Sequence, residues 1–265
     1  MDWLHAVVLA LLQGLTEFLP VSSSAHLILV PALTGWPDQG QAFDVALHFG
    51  SLFAVLVYFR RDLINMTVSW TRSLATRQTD DNAKLAWGVL FATIPVGLVG
   101  LALKDQIELY LRSPLYLSLG LIFFGLLLGW VDWRFKGERT VEQMTWRDVL
   151  VIGCAQALAL FPGTSRAGIT ITAALIMGLN REAASRFSFL LSIPVILLAC
   201  MLEAKDLISD GVTVDWFAMG LGVLVSAVSA FLCIHYFLAF IKRIGMQPFV
   251  IYRIILGAVL LVVFY

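Results

Sequence analysis

Charged residues are scarce in this chain of 265 residues. Only 14% of the residues are charged and 60% are hydrophobic, with a mean hydropathy of +0.87, whereas a soluble domain carries roughly 25% charged residues. So few charges cannot cover a water-facing surface, and the composition therefore predicts an integral membrane protein. Eighteen basic residues balance eighteen acidic ones, so the positive excess on which nucleic-acid binding depends is missing. We expect the membrane, and no nucleic acid, among the partners.

Cysteine is also rare. Cys154, Cys200 and Cys233 all lie inside apolar stretches, without a CxxC pair, and the histidines are not clustered at metal-ligand spacing. Neither a disulfide framework nor a zinc site is indicated. The N-terminus, "MDWLHAVVLALLQG", lacks the basic region and the cleavage site of a signal peptide, so we expect it to remain in the mature protein.

Long apolar runs, by contrast, are frequent. A helix needs about 20 apolar residues to cross a hydrocarbon core of roughly 30 Å. Six segments qualify, some of them only marginally: about 43–59, 85–103, 114–131, 187–202, 216–239 and 248–264. Four others are too short to span, and they are typical of re-entrant or interfacial helices: about 3–18, 22–34, 149–161 and 164–179.

The lysines and arginines of the loops predict the orientation. If each short pair forms a hairpin that enters and leaves on one side, thirteen basic residues face one side: Arg60, Arg61, Arg72, Arg77, Lys84, Arg134, Lys136, Arg139, Arg147, Arg181, Arg186, Lys242 and Arg243. The other side receives only Lys104, Arg112 and Lys205. This bias marks the first side as cytoplasmic. The loop at 132–148 is then cytoplasmic, while 36–41, 203–215 and both termini lie outside.

Two short motifs predict an inverted repeat. The stretch "QGLTEFLPVSSSA" (13–25) can be laid over "QALALFPGTSRA" (156–167) with one gap, matching Gln13 to Gln156, Pro20 to Pro162 and Ser23 to Ser165. We therefore predict an all-α integral membrane protein with about six transmembrane helices and two re-entrant helical hairpins. It forms one domain, 1–265, whose inverted-topology repeats cover approximately 1–131 and 149–265. Such repeats with broken helices place a binding site near the midplane.

The hairpin tips have the chemistry of an anion site. Pro20 and Pro162 each interrupt a helix, and each is followed by hydroxyl residues suited to capping a new one. Helix N-termini present free N–H groups and the positive ends of helix dipoles. If the tips meet, the N-termini at Ser22–Ser24 and Thr164–Arg166 converge on one ligand. Arg166 adds a full charge and a two-point fork that suits phosphate.

The first tip also carries a carboxylate. Glu17 lies four residues after Gln13, so both project from one helix face. A carboxylate beside bound phosphate would repel it unless a divalent cation lies between them, and Mg²⁺ prefers such oxygen ligands. Glu17 and Gln13 are thus the candidate metal ligands. His26, in the first turn of the next helix, could act as base, acid or phosphate donor.

Structural alternatives remain open for several of these residues. Glu17 could only pair with Arg166, the serines could only cap helices or pack closely, and His26 could be a structural histidine. Asp44, His48 and Arg253 are weaker candidates, and His5 and His235 are interpreted as structural. The nucleophile could be a metal-bound water, Ser23 or His26.

Two motifs resemble those of a known family. "QGLTEFLPVSSSAH" (13–26) and "PGTSRAG" (162–168), with "PFVIYR" (248–253) near the end, are similar to the undecaprenyl pyrophosphate phosphatases, also called bacitracin resistance proteins. The resemblance extends over essentially the whole chain. It implies an enzyme of the bacterial cytoplasmic membrane that removes the terminal phosphate of a C55 polyprenyl diphosphate, recycling the carrier of cell-wall precursors, with a divalent cation (Mg²⁺ or Ca²⁺) as cofactor.

The resemblance also implies the site residues. The family's acidic motif falls on Gln13 and Glu17, and its other motif positions fall on Ser22, Ser23, His26, Pro162, Gly163, Ser165, Arg166 and Thr170. Together with the tip argument, these give Glu17, Ser23, His26 and Arg166 as catalytic residues. The predicted substrate-binding residues are Ser22, Ser24, Gly163, Thr164, Ser165 and Thr170. Ala25 and Ala167 depart from the family pattern, which has glycine and serine there, so a phosphate contact at Ala167 is in doubt.

Other functions fit less well. The type-2 phosphatidic acid phosphatases are a poor match, because the chain has no Lys-x6-Arg-Pro motif and no histidine five or six residues after Arg166. A polyprenyl-phosphate transporter or flippase that uses the same anion site is the main alternative, and a non-catalytic scaffold is a third. The polyprenyl diphosphate lipid is the expected partner. The oligomeric state is open, with a homodimer among the candidates.

Overall fold

The computed structural model describes residues 2–110, 113–210 and 215–264, with side chains in all of these ranges except 104–110 and 203–210. The α-helices of this part are α1 (Trp3–Glu17), α2 (Ser23–Thr34), α3 (Gln41–Tyr58), α4 (Arg60–Thr76), α5 (Asp81–Tyr110), α6 (Pro114–Arg134), α7 (Trp146–Ala157), α8 (Arg166–Ile176), α9 (Arg181–Asp210), α10 (Trp216–Ile244) and α11 (Gln247–Phe264). Two single 3₁₀ turns, Val141–Gln143 and Leu158–Leu160, flank α7. The described residues contain no strand beyond one isolated bridge, between Arg139 and Leu179.

The six predicted membrane spans are confirmed as apolar helices. They are Gln41–Tyr58, Asp81–Leu103, Pro114–Arg134, Arg181–Leu202, Trp216–Ile244 and Gln247–Phe264, each long and apolar enough to cross a membrane. A helix satisfies its backbone hydrogen bonds internally, which is what a hydrocarbon environment requires. The chain is therefore an all-α integral membrane protein. The tip of the predicted outer loop at 203–215 lies outside the described residues.

One helix was not predicted. The segment after α3, whose basic residues are counted with the loops in the sequence, forms α4, in which charged and polar residues are interspersed with apolar ones. Met66 is buried against the core while Ile64 and Val68 on the same helix are exposed. A search for long apolar runs cannot find such a helix, because its apolar residues recur every three or four positions among charged ones.

The four short helices form two pairs, and their packing is consistent with the predicted repeat. Helix α1 contacts α2 and packs along α10, while α7 contacts α8 and packs along α5. Helix α6 packs against α11, and α3 against α9. A repeat that relates 1–131 to 149–265 would convert the α1–α10 contact into the α7–α5 contact. It would map the α6–α11 pair and the α3–α9 pair each onto itself. The inversion of the repeat, and the re-entry of the hairpins into the membrane, stay predictions.

Ion pairs hold the connection between the two halves. Arg181 binds both carboxylate oxygens of Asp132, at 2.6 and 2.9 Å, and Arg139 binds both oxygens of Asp148, at 3.2 and 2.6 Å. Asp148 also completes a capping box with Thr145 at the start of α7. Burial raises the pKa of the Asp148 carboxyl, but the hydrogen bonds from Arg139 and Thr145 outweigh it and hold that pKa below its ordinary value. The start of the second helix pair is thus fixed to the loop that precedes it.

Candidate active site

The two tips share an unusual backbone conformation. Ser22 precedes α2 with φ 72°, and Ser165 precedes α8 with φ 65°. Positive φ is uncommon for residues other than glycine and costs on the order of 1–3 kcal/mol, so it marks a position that its surroundings enforce. By backbone conformation Ser165 corresponds to Ser22. The alignment of the two motifs by residue type instead pairs Ser165 with Ser23, one residue later. The first residues of the two new helices, Ser23 and Arg166, then correspond.

Glycines let the second tip lie directly on α6. A Cβ added at Gly120 would come within 2.0 Å of the Pro162 carbonyl oxygen, and one added at Gly163 within 2.2 Å of the Leu117 carbonyl oxygen. Gly163 also has a φ of +78°, which glycine adopts without steric cost. Any larger residue would push the tip away from α6.

Arg253 of α11 joins the two tips. Its side chain is fully buried and donates to the carbonyl oxygens of Pro20 in the first tip (3.3 Å) and of Gly163 and Thr164 in the second (2.7 and 2.9 Å). It also donates to the carbonyls of Gly120 and Leu121 in α6, at 3.4 and 3.2 Å. Five carbonyl oxygens therefore solvate this guanidinium, but they do not neutralise its charge.

Glu17 lies where the tips meet. Its Oε2 accepts from the Ser23 hydroxyl at 2.7 Å and from the Gln13 amide at 3.0 Å. Its Oε1 accepts from Arg166 Nη2 at 3.2 Å. The Glu17 and Arg166 side chains are only 8% and 11% exposed, so this ion pair is poorly screened by solvent. The structure thus brings together four of the predicted site residues, from both halves of the chain.

His48 of α3 is a second histidine beside the carboxylate. Its Nε2 lies 3.7 Å from Glu17 Oε2, and its Nδ1 is 2.8 Å from the Asp44 carbonyl oxygen. In the sequence alone His48 and Asp44 are only weaker candidates, because nothing local relates them to the first tip. Helix packing supplies that relation, since α1 contacts α3.

Arg166 and Thr170 share a partner on α9. Arg166 Nη1 donates to the Ser188 carbonyl oxygen at 3.1 Å, and the Thr170 hydroxyl lies 2.7 Å from the Ser188 hydroxyl. Thr170 also donates to the Arg166 carbonyl oxygen at 2.8 Å. Thr170 is therefore placed to orient α8 and Arg166, and it is fully buried. Ser188 was not singled out from the sequence, where it is one serine in an apolar span.

The remaining predicted binding residues lie on the tip backbones. Ser24 is exposed and its hydroxyl is 3.1 Å from that of Ser22, while the Ser165 hydroxyl accepts from the Gly168 N–H at 3.2 Å. Thr164 is fully buried, and its hydroxyl has no hydrogen-bond partner in the described part of the chain. The Ser22 side chain makes no capping hydrogen bond to α2, so it leaves the first N–H groups of that helix to other acceptors such as a ligand.

His26 is hydrogen-bonded through both of its ring nitrogens. Its Nδ1 lies 2.8 Å from the Ser22 carbonyl oxygen, and its Nε2 lies 2.6 Å from the Tyr252 hydroxyl. The imidazole is buried, at 4% exposure. Both ring nitrogens are thus engaged in this arrangement, which does not favour His26 as the nucleophile.

The donor atoms at the first tip fit a divalent cation in part. Glu17 supplies a carboxylate, and the Gln13 Oε1 is buried without a hydrogen-bond partner among the described residues. No group of three or more histidines, cysteines or acidic residues that could hold a metal is found within the described ranges. Mg²⁺ is commonly held by one or two protein oxygens together with substrate phosphates. The residues therefore fit a cation that is completed by the substrate.

Comparison with known proteins identifies the family of this chain. A model of the family described as "Bacitracin resistance protein BacA" matches residues 6–259. The chain belongs to this family. It is 57% identical over 264 residues to a protein of Nitrosococcus oceani named undecaprenyl-diphosphatase, with all of both chains covered. It is 58% identical over 267 residues to undecaprenyl-diphosphatase 2 of Stutzerimonas stutzeri, with 100% of this chain and 99% of that one covered.

The two departures from the family pattern have a structural setting. Ala25 is fully buried in an apolar cluster with Leu29, Leu117 and other leucines, and Ala167 is 1% exposed within the main core. Both methyl groups are therefore packed against apolar neighbours. A phosphate contact at Ala167 is not supported by this placement.

Proposed function

We propose that this membrane protein hydrolyses a polyprenyl diphosphate, such as undecaprenyl diphosphate, to the monophosphate and inorganic phosphate. The observation that carries the proposal is the junction of the tips, where Glu17, Ser23 and Arg166 are in contact. A carboxylate, a hydroxyl and a guanidinium within hydrogen-bonding distance supply a proton acceptor, a nucleophile and an anion ligand. The names of the two relatives and the family match support the same activity.

The charges of the site suit an anionic ligand. Arg166 and Arg253 each carry a positive charge, while Glu17 carries the one carboxylate that contacts either of them in the described part of the chain. Two helix N-termini add their partial positive charges. The Thr164 carbonyl accepts from Arg253. Because the C=O and N–H of a trans peptide point in opposite directions, the Ser165 N–H points away from Arg253. A diphosphate would neutralise this surplus, with Arg166 as its two-point ligand.

The same residues can perform the chemistry. When phosphate oxygens take over the Arg166 fork, Glu17 is released from its ion pair while its Oε2 keeps the hydrogen bond from the Ser23 hydroxyl. Glu17 then accepts the proton of Ser23, whose oxygen attacks the terminal phosphorus. The bond between that phosphorus and the bridging oxygen breaks, and the polyprenyl monophosphate leaves with the electron pair and with the proton that Glu17 had accepted. Water then hydrolyses the phosphoserine to free phosphate and restores the Ser23 hydroxyl.

A divalent cation belongs to this site by its donor chemistry. Glu17 and Gln13 would hold it together with the phosphates, and when bound it would reduce the repulsion between Glu17 and the substrate and polarise the phosphate oxygens. Arg166 and the tip N–H groups orient the phosphates. The buried surroundings of Glu17 exclude bulk water, which strengthens these interactions.

Purified protein in detergent micelles provides the test, because hydrolysis needs no membrane whereas transport does. We expect metal-dependent phosphate release from polyprenyl diphosphate, and a severe loss in Arg166→Lys, since lysine keeps the charge but not the planar fork. Arg147→Lys, at an exposed position of α7, is the matched control and should retain full turnover. Absence of phosphate release by the wild type, with lipid movement across vesicles, would instead favour the transporter alternative, which the comparisons do not support.

The nucleophile can be tested separately. With label in the terminal phosphate, a rapid quench of the wild type should trap a labelled protein, and Ser23→Ala should abolish both label and turnover. Turnover by Ser23→Ala would indicate a water nucleophile held by Glu17. Thr67→Ala, which removes an exposed hydroxyl that only bonds its own helix, should behave as wild type.

We also infer the setting of the reaction. The lipid substrate and the bacterial relatives indicate the cytoplasmic membrane, and the distribution of lysine and arginine in the loops favours termini on its outer side. The diphosphate would then be bound near the midplane, at the junction of the two predicted repeats. Recycling of the lipid carrier for cell-wall synthesis follows from the product.

A further inference from the structure

Tyr252 reaches the first tip from the far end of the chain. Its hydroxyl lies 2.6 Å from His26 Nε2, and the two rings are nearly parallel, with an interplanar angle of 2° and centroids 5.6 Å apart. The hydrogen bond is short for an oxygen–nitrogen pair. Arg253, the next residue, donates to the Pro20 carbonyl of the same tip, so the position of Tyr252 relative to the tip is fixed by its neighbour.

The hydrogen-bond partners determine which His26 nitrogen carries the proton. The Ser22 carbonyl oxygen can only accept, so Nδ1, at 2.8 Å, must be the donor. In the neutral ring Nε2 is then unprotonated and accepts the hydrogen of the Tyr252 hydroxyl. Donation therefore runs in one direction, from Tyr252 to His26 and from His26 to Ser22.

The carbonyl at the end of this chain belongs to the strained residue of the tip. Ser22 has a φ of 72°, and its side chain makes no capping hydrogen bond to α2. Such a conformation persists only where the surroundings hold it, and the His26 Nδ1–H donates to the Ser22 carbonyl. The next residue, Ser23, donates to Glu17 at 2.7 Å. A shift of the Ser22 peptide would therefore move the Ser23 hydroxyl relative to its base.

We propose that Tyr252 is a positioning residue, which acts through His26 to hold the first tip so that Ser23 faces Glu17. His26 is accordingly part of the support of the tip, and its protonated nitrogen is Nδ1. Only the expected effect of Tyr252 on turnover rests on the proposed phosphatase function, since the hydrogen bonds from Tyr252 to His26 and from His26 to Ser22 exist without substrate.

Tyr252→Phe is the direct test, because it removes only the hydroxyl. We expect kcat to fall by about three- to tenfold, the equivalent of one hydrogen bond, with KM unchanged. Tyr236→Phe is the matched control, at an exposed tyrosine of α10 with ring contacts to His235 and Phe240, and it should leave both constants unchanged. A rise in KM alone would mean that Tyr252 contacts the substrate, and an unchanged kcat would mean that its hydroxyl is dispensable; either overturns the proposal.

Nitrogen NMR of the full chain, labelled at histidine, gives a readout that does not depend on activity. The His26 signals are identified by their loss in His26→Gln. In both proteins we expect a ring protonated at Nδ1, because the Ser22 carbonyl remains, and in Tyr252→Phe we expect a shifted Nε2 signal, because that nitrogen loses the hydrogen bond from the tyrosine hydroxyl. Identical His26 signals in both proteins would overturn the proposal. If the wild type showed no phosphatase activity, the proposed function would fail while this measurement would still decide the role of Tyr252.

Discussion

The contact between Glu17 and Arg166 makes a prediction that separates stability from catalysis. Both side chains are about one-tenth exposed, and removing one partner of a buried ion pair typically costs about 3–5 kcal/mol because the other charge is left uncompensated. In Glu17→Gln the guanidinium keeps the Ser188 carbonyl as an acceptor but loses its counter-ion. We expect a loss of unfolding free energy near the lower end of that range, about 3 kcal/mol.

The double variant Glu17→Gln, Arg166→Gln should recover much of this stability, since two neutral amides can hydrogen-bond where two charges were paired. Neither variant should turn over polyprenyl diphosphate. Glu17→Gln should still bind it, because the carboxylate that repels phosphate has gone while Arg166 remains. Stability can be followed by tryptophan fluorescence during denaturant unfolding in micelles, and turnover by phosphate release.

Asp132→Asn provides the matched control. Asp132 is 2% exposed and pairs with Arg181 through two hydrogen bonds, so this substitution should lose similar stability while the folded fraction keeps its turnover. Near-normal turnover by Glu17→Gln would refute the catalytic role of Glu17. Recovery of turnover in the double variant would refute it as well, because the pair would then be only structural.

Three further predictions concern the surroundings of this pair. Gln13→Glu should be tolerated, since a carboxylate can replace the amide as a metal ligand, and its apparent affinity for Mg²⁺, measured by calorimetry, should not fall. Arg253→Lys should lower the unfolding free energy by roughly 3 kcal/mol, because an ammonium can donate to at most three of the five carbonyls; unchanged thermal unfolding would contradict the buried contacts. Cysteines at 36–41 should be labelled from outside and those at 132–148 from the cytoplasm, and labelling from one side would exclude the first hairpin.

The spans and the tip motifs could be predicted from the sequence because their causes are local. An apolar run of sufficient length is itself the requirement for crossing a membrane, and a proline followed by hydroxyl residues ends one helix and begins another. The pairing of Glu17 with Arg166 was also considered, since an arginine in an apolar segment needs an anionic partner. Helix α4 was missed because its signal is a periodicity rather than a run.

The supports of the tips could not be predicted in the same way. His26 and Tyr252 are 226 positions apart in sequence, and neither residue type has a local pattern that points to the other. Arg253 was noticed only because a charge in an apolar helix is costly, which predicts that it has partners without saying which. The partners are backbone carbonyls, and every residue in the chain carries one.

The one-residue shift at the tips has the same origin. The sequence alignment matched Ser23 to Ser165 by residue type, whereas the backbone pairs Ser22 with Ser165 through their positive φ values. Serine has no preference for that conformation, so the strain leaves no trace in residue type. What enforces it is the set of groups that fix the tip peptides, the His26 ring on the Ser22 carbonyl and Arg253 on the Thr164 carbonyl. The two tips therefore correspond through the groups that hold their backbones, and not through residue type. In this correspondence Ser23 and Arg166 are equivalent residues, and they donate to different oxygens of Glu17.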